Sequence, residues 1–390
     1  MLSIALMAQI AVSIVTQGVP TLAPFLQADL NLTHAQVGLF NSALMIGSSL
    51  ALFGAGWLVD FKGERLALQA GNLITGTCCL AVATTHTFYG ALAVLVAVGV
   101  GAAFPTPAGS KAVMRWFPVH QRGMAMGIRQ TGIPLGGALA AATLPLIAIG
   151  YGWRWAVAAG GLGCLLSALI TALGYRVEDA VAPRPKGARN VRRPRIVNRE
   201  ILLLGLAGAL LPLGQFGLVT YLAICLRETH GIPVTFTATL LVAAQIAGAA
   251  GRVLWGVFSD RFFARRRKPA LMLANILAAF SAFTLAWLPL DAPRLVIGLV
   301  VLVFAFNTIG WHGVWISMVA EIAGTENQGR TIATAMTIMY PGIIVLPPLF
   351  GLLVDHTHSW PWAWTALGGA LLTGTWLVYR VQEAPRASTV

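Results

Sequence analysis

The chain has 390 residues, of which 57% are hydrophobic and only 10% are charged, and its mean hydropathy is +0.77. Soluble domains carry about 25% charged residues, so this composition excludes a water-soluble globular protein. The formal net charge of +13 would suit a nucleic-acid binder, but the basic residues cluster in alternate loops between apolar runs, which argues against that function.

Apolar stretches long enough to span a membrane recur along the whole chain. A helix of about 20 residues crosses the hydrocarbon core of a bilayer. The stretches are continuously apolar rather than alternating, which predicts helices and not barrel strands. The predicted class is an all-α polytopic membrane protein with twelve transmembrane helices, at residues 4–27, 37–59, 66–85, 88–113, 123–148, 154–175, 200–226, 236–258, 269–289, 294–319, 330–353 and 361–380.

The basic residues predict the orientation in the membrane. They follow the even-numbered spans, whereas the intervening loops carry only Arg154, Arg227, Arg294 or none. By the positive-inside rule, the even-numbered spans end in the cytoplasm and both termini are cytoplasmic. Short loops and no targeting extension predict a multi-pass protein of the bacterial inner (plasma) membrane. The basic residues concerned are Lys62, Arg65, Lys111, Arg115, Arg122, Arg184, Lys186, Arg189, Arg192, Arg193, Arg195, Arg199, Arg261, Arg265, Arg266, Arg267 and Lys268.

One polar connection divides the chain. The segment from Val181 to Arg199 contains three prolines and seven basic residues. We therefore predict an N-terminal six-helix bundle at 1–176, a basic cytoplasmic linker at 177–199 and a C-terminal six-helix bundle at 200–390. The linker could contact anionic lipid headgroups, although a solvated tether is the simpler interpretation.

A Gly-x-x-x-Asp turn occurs twice, from Gly56 to Asp60 and from Gly256 to Asp260, at corresponding places in the two halves. Such a repeat indicates a duplicated membrane unit, which is typical of proteins that carry a solute. No phosphate-binding loop, redox motif, metal-ligand spacing or catalytic triad is evident, so we predict a non-enzyme without a cofactor.

The first turn carries a more specific pattern, Gly-x-Leu-x-Asp-x-x-Gly followed by basic residues. In this respect the chain resembles the major facilitator superfamily, which implies a secondary transporter built from two pseudo-symmetric bundles. The resemblance implies that Asp60 contacts the start of the eleventh helix near Gly329 and Arg330, and that Asp260 contacts the start of the fifth near Arg122 and Gly123. The implied gating residues are Gly56, Asp60, Gly63, Arg65, Gly256, Asp260, Arg122 and Arg330.

Two arginines, Arg129 and Arg252, lie within predicted spans, whereas all thirteen acidic residues lie in loops or at span ends. Intramembrane charges are functional hypotheses by default, and guanidinium groups suit carboxylates. The segment Gly251–Gly256 also resembles the eighth helix of monocarboxylate and oxalate:formate carriers, although the lysine of oxalate carriers is missing from the eleventh span. Snorkelling to headgroups or a gate contact is the alternative for both arginines.

The glycine-rich fifth span, with Pro134, resembles an element of drug/proton antiporters. Close packing against a neighbouring helix is the simpler explanation for its glycines, and the proline should kink it. The superfamily resemblance places further polar and aromatic residues in the cavity. The candidate substrate-binding set is Arg129, Arg252, Gln17, Gln215, Tyr221, Asn307, Trp311, His312 and Trp315, with packing as the alternative role for the aromatic residues.

These observations predict a secondary carrier of a small organic anion, in particular a monocarboxylate, that works by alternating access. Proton symport is the expected mode, and His312 is a candidate proton carrier because an imidazole titrates near neutral pH, with a hydrogen-bonded packing histidine as the alternative. Export of uncharged or amphiphilic compounds is the alternative, and a non-transporting sensor is a further one. The expected partners are the anion, protons and membrane lipid, with no nucleic acid, and we expect a monomer.

Overall fold

The computed structural model describes residues 2–117, 128–175, 198–263 and 266–382. Within these ranges the side chains of Phe53, Asp60, Met114 and residues 324–330 are not described. The regular structure of the described residues is helical throughout. Nearly all of the predicted linker, 177–199, lies outside the described residues.

The first part of the chain contains helices that match the first six predicted spans. They are α1 (Leu2–Thr21), α2 (Ala23–Leu30), α3 (His34–Lys62), α4 (Glu64–Ala83), α5 (Phe88–Ala102), α6 (Pro105–Trp116), α7 (Gly132–Tyr151) and α8 (Trp153–Gly174).

The second part contains α9 (Arg199–Leu210), α10 (Pro212–Phe216), a π-helical turn (Gly217–Tyr221), α11 (Leu222–His230), α12 (Val234–Arg261), α13 (Arg267–Ala286), α14 (Arg294–Thr357) and α15 (Trp360–Arg380). Helix α14 contains two successive spans, Arg294–Ala323 and Thr331–Thr357.

Eleven helical segments among the described residues are long and apolar enough to cross a membrane. They correspond to the first eleven predicted spans. The twelfth predicted span, 361–380, coincides with α15, whose 21 residues extend for about 31 Å at 1.5 Å per residue. The predicted all-α polytopic class is therefore confirmed.

Four spans are interrupted just before a proline. The breaks fall at Leu22 before Pro24, at Ala103 and Phe104 before Pro105, at Leu211 before Pro212, and at Thr131 before Pro134. Proline has no N–H for the helical hydrogen bond and its ring clashes with the preceding turn, so each helix stops and restarts there. The predicted kink at Pro134 thus takes the form of a break three residues earlier. Broken helices in transporters commonly border binding sites.

Contacts between Cα atoms divide the chain into two compact units. Unit 1 comprises Met1–Pro183, Val219–Ile246 and Pro347–His356, and unit 2 comprises the rest of the chain. The units are interleaved along the sequence, because segments of α11, α12 and α14 group with the N-terminal helices. The predicted boundaries at 176 and 200 stay a prediction.

Glycine allows close helix packing in unit 1. A Cβ atom on Gly136 of α7 would lie 2.7 Å from the carbonyl oxygen of Ile10 in α1, and one on Gly76 of α4 would lie 2.8 Å from that of Gly161 in α8. No larger residue fits at such positions without moving a helix. The glycines of the fifth span therefore have a packing role, as the simpler interpretation expected.

Unit 2 has a comparable contact between α12 and α14, where a Cβ atom on Gly310 would lie 2.8 Å from the carbonyl carbon of Gly251. Both spans of α14 also pack against α9. A Cβ atom on Gly208 would lie 3.0 Å from Trp315 and 3.3 Å from Met339. These two residues would be about 36 Å apart along a straight helix, so the path of α14 turns back between its two spans.

Candidate functional site

Arg252 lies in unit 2, next to the close contact between Gly251 of α12 and Gly310 of α14. Its Nε–H donates a hydrogen bond to the carbonyl oxygen of Ile309, at 3.3 Å, and the side chain is half-buried. None of the ion pairs among the described residues includes Arg252. Its two terminal nitrogens have no hydrogen-bond partner within the described chain, so they can receive an external acceptor.

The aromatic residues of α14 have a packing role. Trp311 is 2% exposed and Trp315 is fully buried, and the Trp315 Nε1–H donates to the carbonyl oxygen of Leu204 at 2.9 Å. Their ring centroids are 6.0 Å apart, at an edge-to-face angle of 79°. In this structure both tryptophans are buried within the protein, and their contact with substrate stays a prediction.

His312 is less buried than the two tryptophans. It is half-buried, stacks on Trp315 with ring centroids 6.2 Å apart, and lies within electrostatic range of Arg252. A proton on His312 would place a second cation beside Arg252, which is unfavourable in a region of low dielectric constant. A role of His312 as proton carrier stays a prediction.

The two amide candidates of unit 2 differ in exposure. Asn307 is 2% exposed and donates from Nδ2 to the carbonyl oxygen of Val303 at 2.7 Å, so it is an internal residue of α14. Its Oδ1 atom is buried without a hydrogen-bond partner among the described residues. Gln215 is half-buried and lies two residues before the π-helical turn, a local irregularity that often occurs at functional sites.

Arg129, in unit 1, is buried rather than snorkelling, with 1% exposure. Nη1 donates to the carbonyl oxygen of Pro105 and Nη2 to the side-chain oxygen of Gln130, both at 3.3 Å. Nε has no hydrogen-bond partner within the described chain. Space for the side chain exists only because residue 109 is glycine, since a Cβ there would lie 2.8 Å from Cδ and Nη1 of Arg129.

The remaining candidates of unit 1 are Gln17 and Tyr221. Gln17 is 9% exposed. Tyr221 is completely buried, and its hydroxyl lies 2.7 Å from the carbonyl oxygen of Pro347 and 3.0 Å from that of His34. In this structure the Tyr221 hydroxyl is engaged by backbone carbonyls, and its contact with substrate stays a prediction.

The structure describes part of the two Gly-x-x-x-Asp turns. Gly63 has φ +89°, a conformation that only glycine adopts without strain, so it forms the turn between α3 and α4. A Cβ atom on Gly56 or Gly256 would meet nothing within 4 Å, so in this structure these two glycines leave room for a side chain. Arg65 donates from Nη2 to the carbonyl oxygen of Ala172.

Asp260 forms an ion pair within unit 2. Its Oδ1 accepts from Nη1 of Arg267 at 2.7 Å, and Nε of Arg267 donates to Glu321 at 2.9 Å. The side chains of Asp60 and Arg330, and the whole of Arg122 and Gly123, lie outside the description. The expected gating contacts of the two aspartates therefore stay predictions.

A family model for the Major Facilitator Superfamily matches residues 4–340. The chain belongs to this superfamily. It is 30% identical to a probable sulfoacetate transporter of Cupriavidus necator, over 90% of this chain and 85% of that protein. It is 23% identical to the hexuronate transporter of Bacillus subtilis, over 92% and 88%.

A solved structure of a bacterial homologue of the human lysosomal transporter Spinster, inward-facing and occupied, has the same fold, with a TM-score of 0.80, 17% identity and coverage of 99% of this chain and 98% of that one. As a member of the superfamily, the protein is a multi-pass membrane transporter and not an enzyme. The closer resemblance to monocarboxylate carriers stays a prediction.

Two polar networks of this superfamily member were not anticipated from its sequence. Glu64, directly after Gly63, is 1% exposed; its Oε1 accepts from Arg115 at 3.0 Å and from the hydroxyl of Tyr175 at 3.3 Å. Its place at the first residue of α4, beside the positive end of the helix, was the available signal.

The second network joins His34, Glu228 and Asp355, which we call the His34 triad. His34 begins α3, Glu228 lies near the end of α11 and Asp355 near the end of α14, and all three belong to unit 1. Glu228 and Asp355 lie 194 and 321 residues after His34 in the sequence. No local sequence pattern therefore predicts that these three side chains meet.

Proposed function

We propose that the protein carries a small organic anion across the bacterial inner membrane by alternating access, and that Arg252 binds the anionic group. The observation that supports this most is the environment of Arg252. Its Nε is used by Ile309, whereas both terminal nitrogens lack a partner and no carboxylate neutralises it among the described residues. A carboxylate can accept two parallel hydrogen bonds from such a guanidinium.

Two relatives support an anionic cargo. Both are named for a carboxylate-bearing anion, sulfoacetate in one case and a hexuronate in the other. A carboxylate is the group that these cargoes share, and its two oxygens can accept hydrogen bonds from the two terminal nitrogens of Arg252. We therefore propose a carboxylate-bearing anion as the cargo, with monocarboxylates as the first class to test.

Arg129, in unit 1, is the second residue that we propose binds the anion. It is buried without an ionic partner among the described residues, and an uncompensated buried charge is costly. Its terminal nitrogens are already bonded to Pro105 and Gln130, so an anion would have to displace one of these acceptors. We propose that Gln17 in unit 1, and Gln215 and His312 in unit 2, are further polar contacts of the anion.

The energy source that we propose is a proton gradient, used in symport. The chain places its acidic residues in loops and at span ends, so an anion that binds together with its own proton fits the residues available. We propose that the termini are cytoplasmic, as the loop charges predict.

The alternative, export of uncharged or amphiphilic compounds, rested on the aromatic α14 and on the glycine-rich fifth span. Trp311 and Trp315 are packing residues, and Gly136 is required for contact with α1. Both features thus have explanations that do not involve a drug-like cargo.

The test is a thermal-shift screen of the purified protein against carboxylates, sulfonates, neutral sugars and hydrophobic amines, followed by binding assays on Arg252→Gln. A charged hydrogen bond contributes about 1.5–3 kcal/mol, so the affinity for the best anion should fall roughly 10- to 100-fold. Arg380→Gln, at an exposed position at the end of α15, is the matched control and should bind normally. Unchanged affinity in Arg252→Gln, or stabilisation by amines alone, would reject the proposal.

A further inference from the structure

The imidazole of His34 lies between two carboxylates. Nδ1 is 2.6 Å from Oδ1 of Asp355, and Nε2 is 3.2 Å from both carboxylate oxygens of Glu228. Asp355 is also held by the backbone, because its two oxygens accept the N–H groups of His34 at 2.9 Å and Ala35 at 2.8 Å. These bonds set the carboxylate of Asp355 at the positive start of α3.

The positions of the His34 ring nitrogens indicate how many protons the triad holds. A neutral imidazole has one N–H and one nitrogen lone pair. Both ring nitrogens of His34 face carboxylate oxygens, so a neutral ring between two ionised carboxylates would leave a lone pair pointing at a negative oxygen. The geometry therefore requires one additional proton, carried by an imidazolium with two N–H donors or by one of the carboxyl groups.

The triad depends on close packing of the chain segments that supply it. A Cβ atom on Gly38 would lie 2.6 Å from the backbone of Pro348, and one on Gly351 would overlap the carbonyl oxygen of His34. The ring of Tyr221 packs on Phe350 with centroids 4.8 Å apart. Any movement that separates α3 from the end of α14 must break the Asp355 bonds.

Other charged groups border the triad. Arg227 lines a cavity of about 260 Å³ together with Glu228, His230 shares a hydrogen bond of 2.6 Å with Thr229, and His356 adjoins Asp355. On α2, Asp29 is engaged by Trp153 and Arg154. Within the triad, His34 pairs with both Glu228 and Asp355.

We propose that the His34 triad is a proton-binding site whose proton is taken up when α3 packs against the ends of α11 and α14, and released to water on the same side when they separate. An exposed imidazole titrates near pH 6.5 and exposed carboxyls near pH 4, so the separated residues lose the extra proton at neutral pH. The proposal rests on alternating access but not on the identity of the cargo.

Because the packed arrangement binds one proton more than the separated one, acid favours the packed arrangement. For a single proton the ratio of packed to separated molecules changes by up to about tenfold per pH unit. By the predicted topology the triad faces the extracellular side, so external acid would favour closure there.

The experiment uses the full chain in lipid nanodiscs without cargo. Its four native cysteines are replaced by alanine, and spin labels are attached at Ala28→Cys and His356→Cys, two exposed positions of unit 1. Distances between the labels are measured from pH 8 to pH 5. The short-distance population should rise with acid, and His34→Gln should abolish this dependence.

Two further variants strengthen the test. Glu228→Gln changes a side chain that is 41% exposed, so it should fold even if His34→Gln does not, and it should lower the midpoint by at least about half a pH unit. His86→Gln, exposed in another loop, should behave as the parent. A pH dependence that survives His34→Gln, or an unchanged midpoint in Glu228→Gln, would overturn the proposal. Failure of anion binding in the Arg252 test would leave this result unaffected.

Discussion

Gly109 and Arg129 are in direct contact: a Cβ atom on residue 109 would lie 2.8 Å from both Cδ and Nη1 of the arginine. The glycine of α6 thus provides the space in which a buried guanidinium reaches the carbonyl oxygen of Pro105. The buried position of the Arg129 guanidinium therefore depends on the absence of a side chain at residue 109.

Gly109→Ala should displace Arg129 and weaken both of its hydrogen bonds. Overpacking of this kind costs about 1–3 kcal/mol, and the melting temperature of the purified protein should fall accordingly. Gly163→Ala is the matched control, because a Cβ there meets nothing within 4 Å and alanine favours a helix. Equal melting temperatures for the two variants would show that the Arg129 side chain adapts without cost.

Trp315→Phe separates packing from substrate binding in α14. The change removes the hydrogen bond to the carbonyl oxygen of Leu204, which contributes about 0.5–1.5 kcal/mol, and part of a fully buried ring. The melting temperature should fall, whereas the affinity for the best anion of the screen should stay within twofold. Trp376→Phe, at a position that is 54% exposed, should change neither quantity. A large loss of affinity for the anion in Trp315→Phe would show instead that Trp315 contributes to substrate binding.

Asp29 should make a small contribution to acid sensitivity. The hydrogen bond from Trp153, together with that from Arg154, holds the pKa of Asp29 below its ordinary value. A carboxyl with a lowered folded-state pKa stabilises the protein above its unfolded pKa of about 3.9, and this stabilisation is lost as the pH falls through the folded-state value.

Replacement of Asp29 by Asn should therefore lower the melting temperature slightly at pH 6 and reduce its decline below pH 4. The effect is small because the side chain is 44% exposed and solvent screens its ion pair. Melting curves of Asp29→Asn and of Asp291→Asn, an exposed control, test this. Identical pH profiles for the parent and Asp29→Asn would contradict it.

The spans were predictable because the signal for a transmembrane helix is local. A run of apolar residues such as 66–85 must satisfy its backbone polar groups within one segment, so hydropathy alone predicts α4. The breaks before Pro105 and Pro212 have an equally local cause, the missing N–H of proline. Membership of the superfamily was likewise indicated by a short motif between Gly56 and Arg65.

The roles of individual side chains were less predictable. Tyr221 and Trp315 are residue types that often line a cavity, yet both are buried. Their hydrogen-bond partners, Pro347 and Leu204 respectively, are more than 100 residues away in the sequence. Helical periodicity shows which residues share a face, but it does not show whether that face meets a cavity or another helix. Arg129 and Arg252, with the same side chain, differ in exposure for the same reason.

By itself, the sequence determined that the protein lies in a membrane, that it is helical and where its long apolar segments lie, since all of these depend on local patterns within one helix or one turn. Only the tertiary structure decided that Arg252 keeps two nitrogens available and that His34 meets Asp355 across 321 residues. Such pairings depend on how distant helices pack, and glycines at positions such as 38, 109 and 351 set those distances through the absence of a side chain.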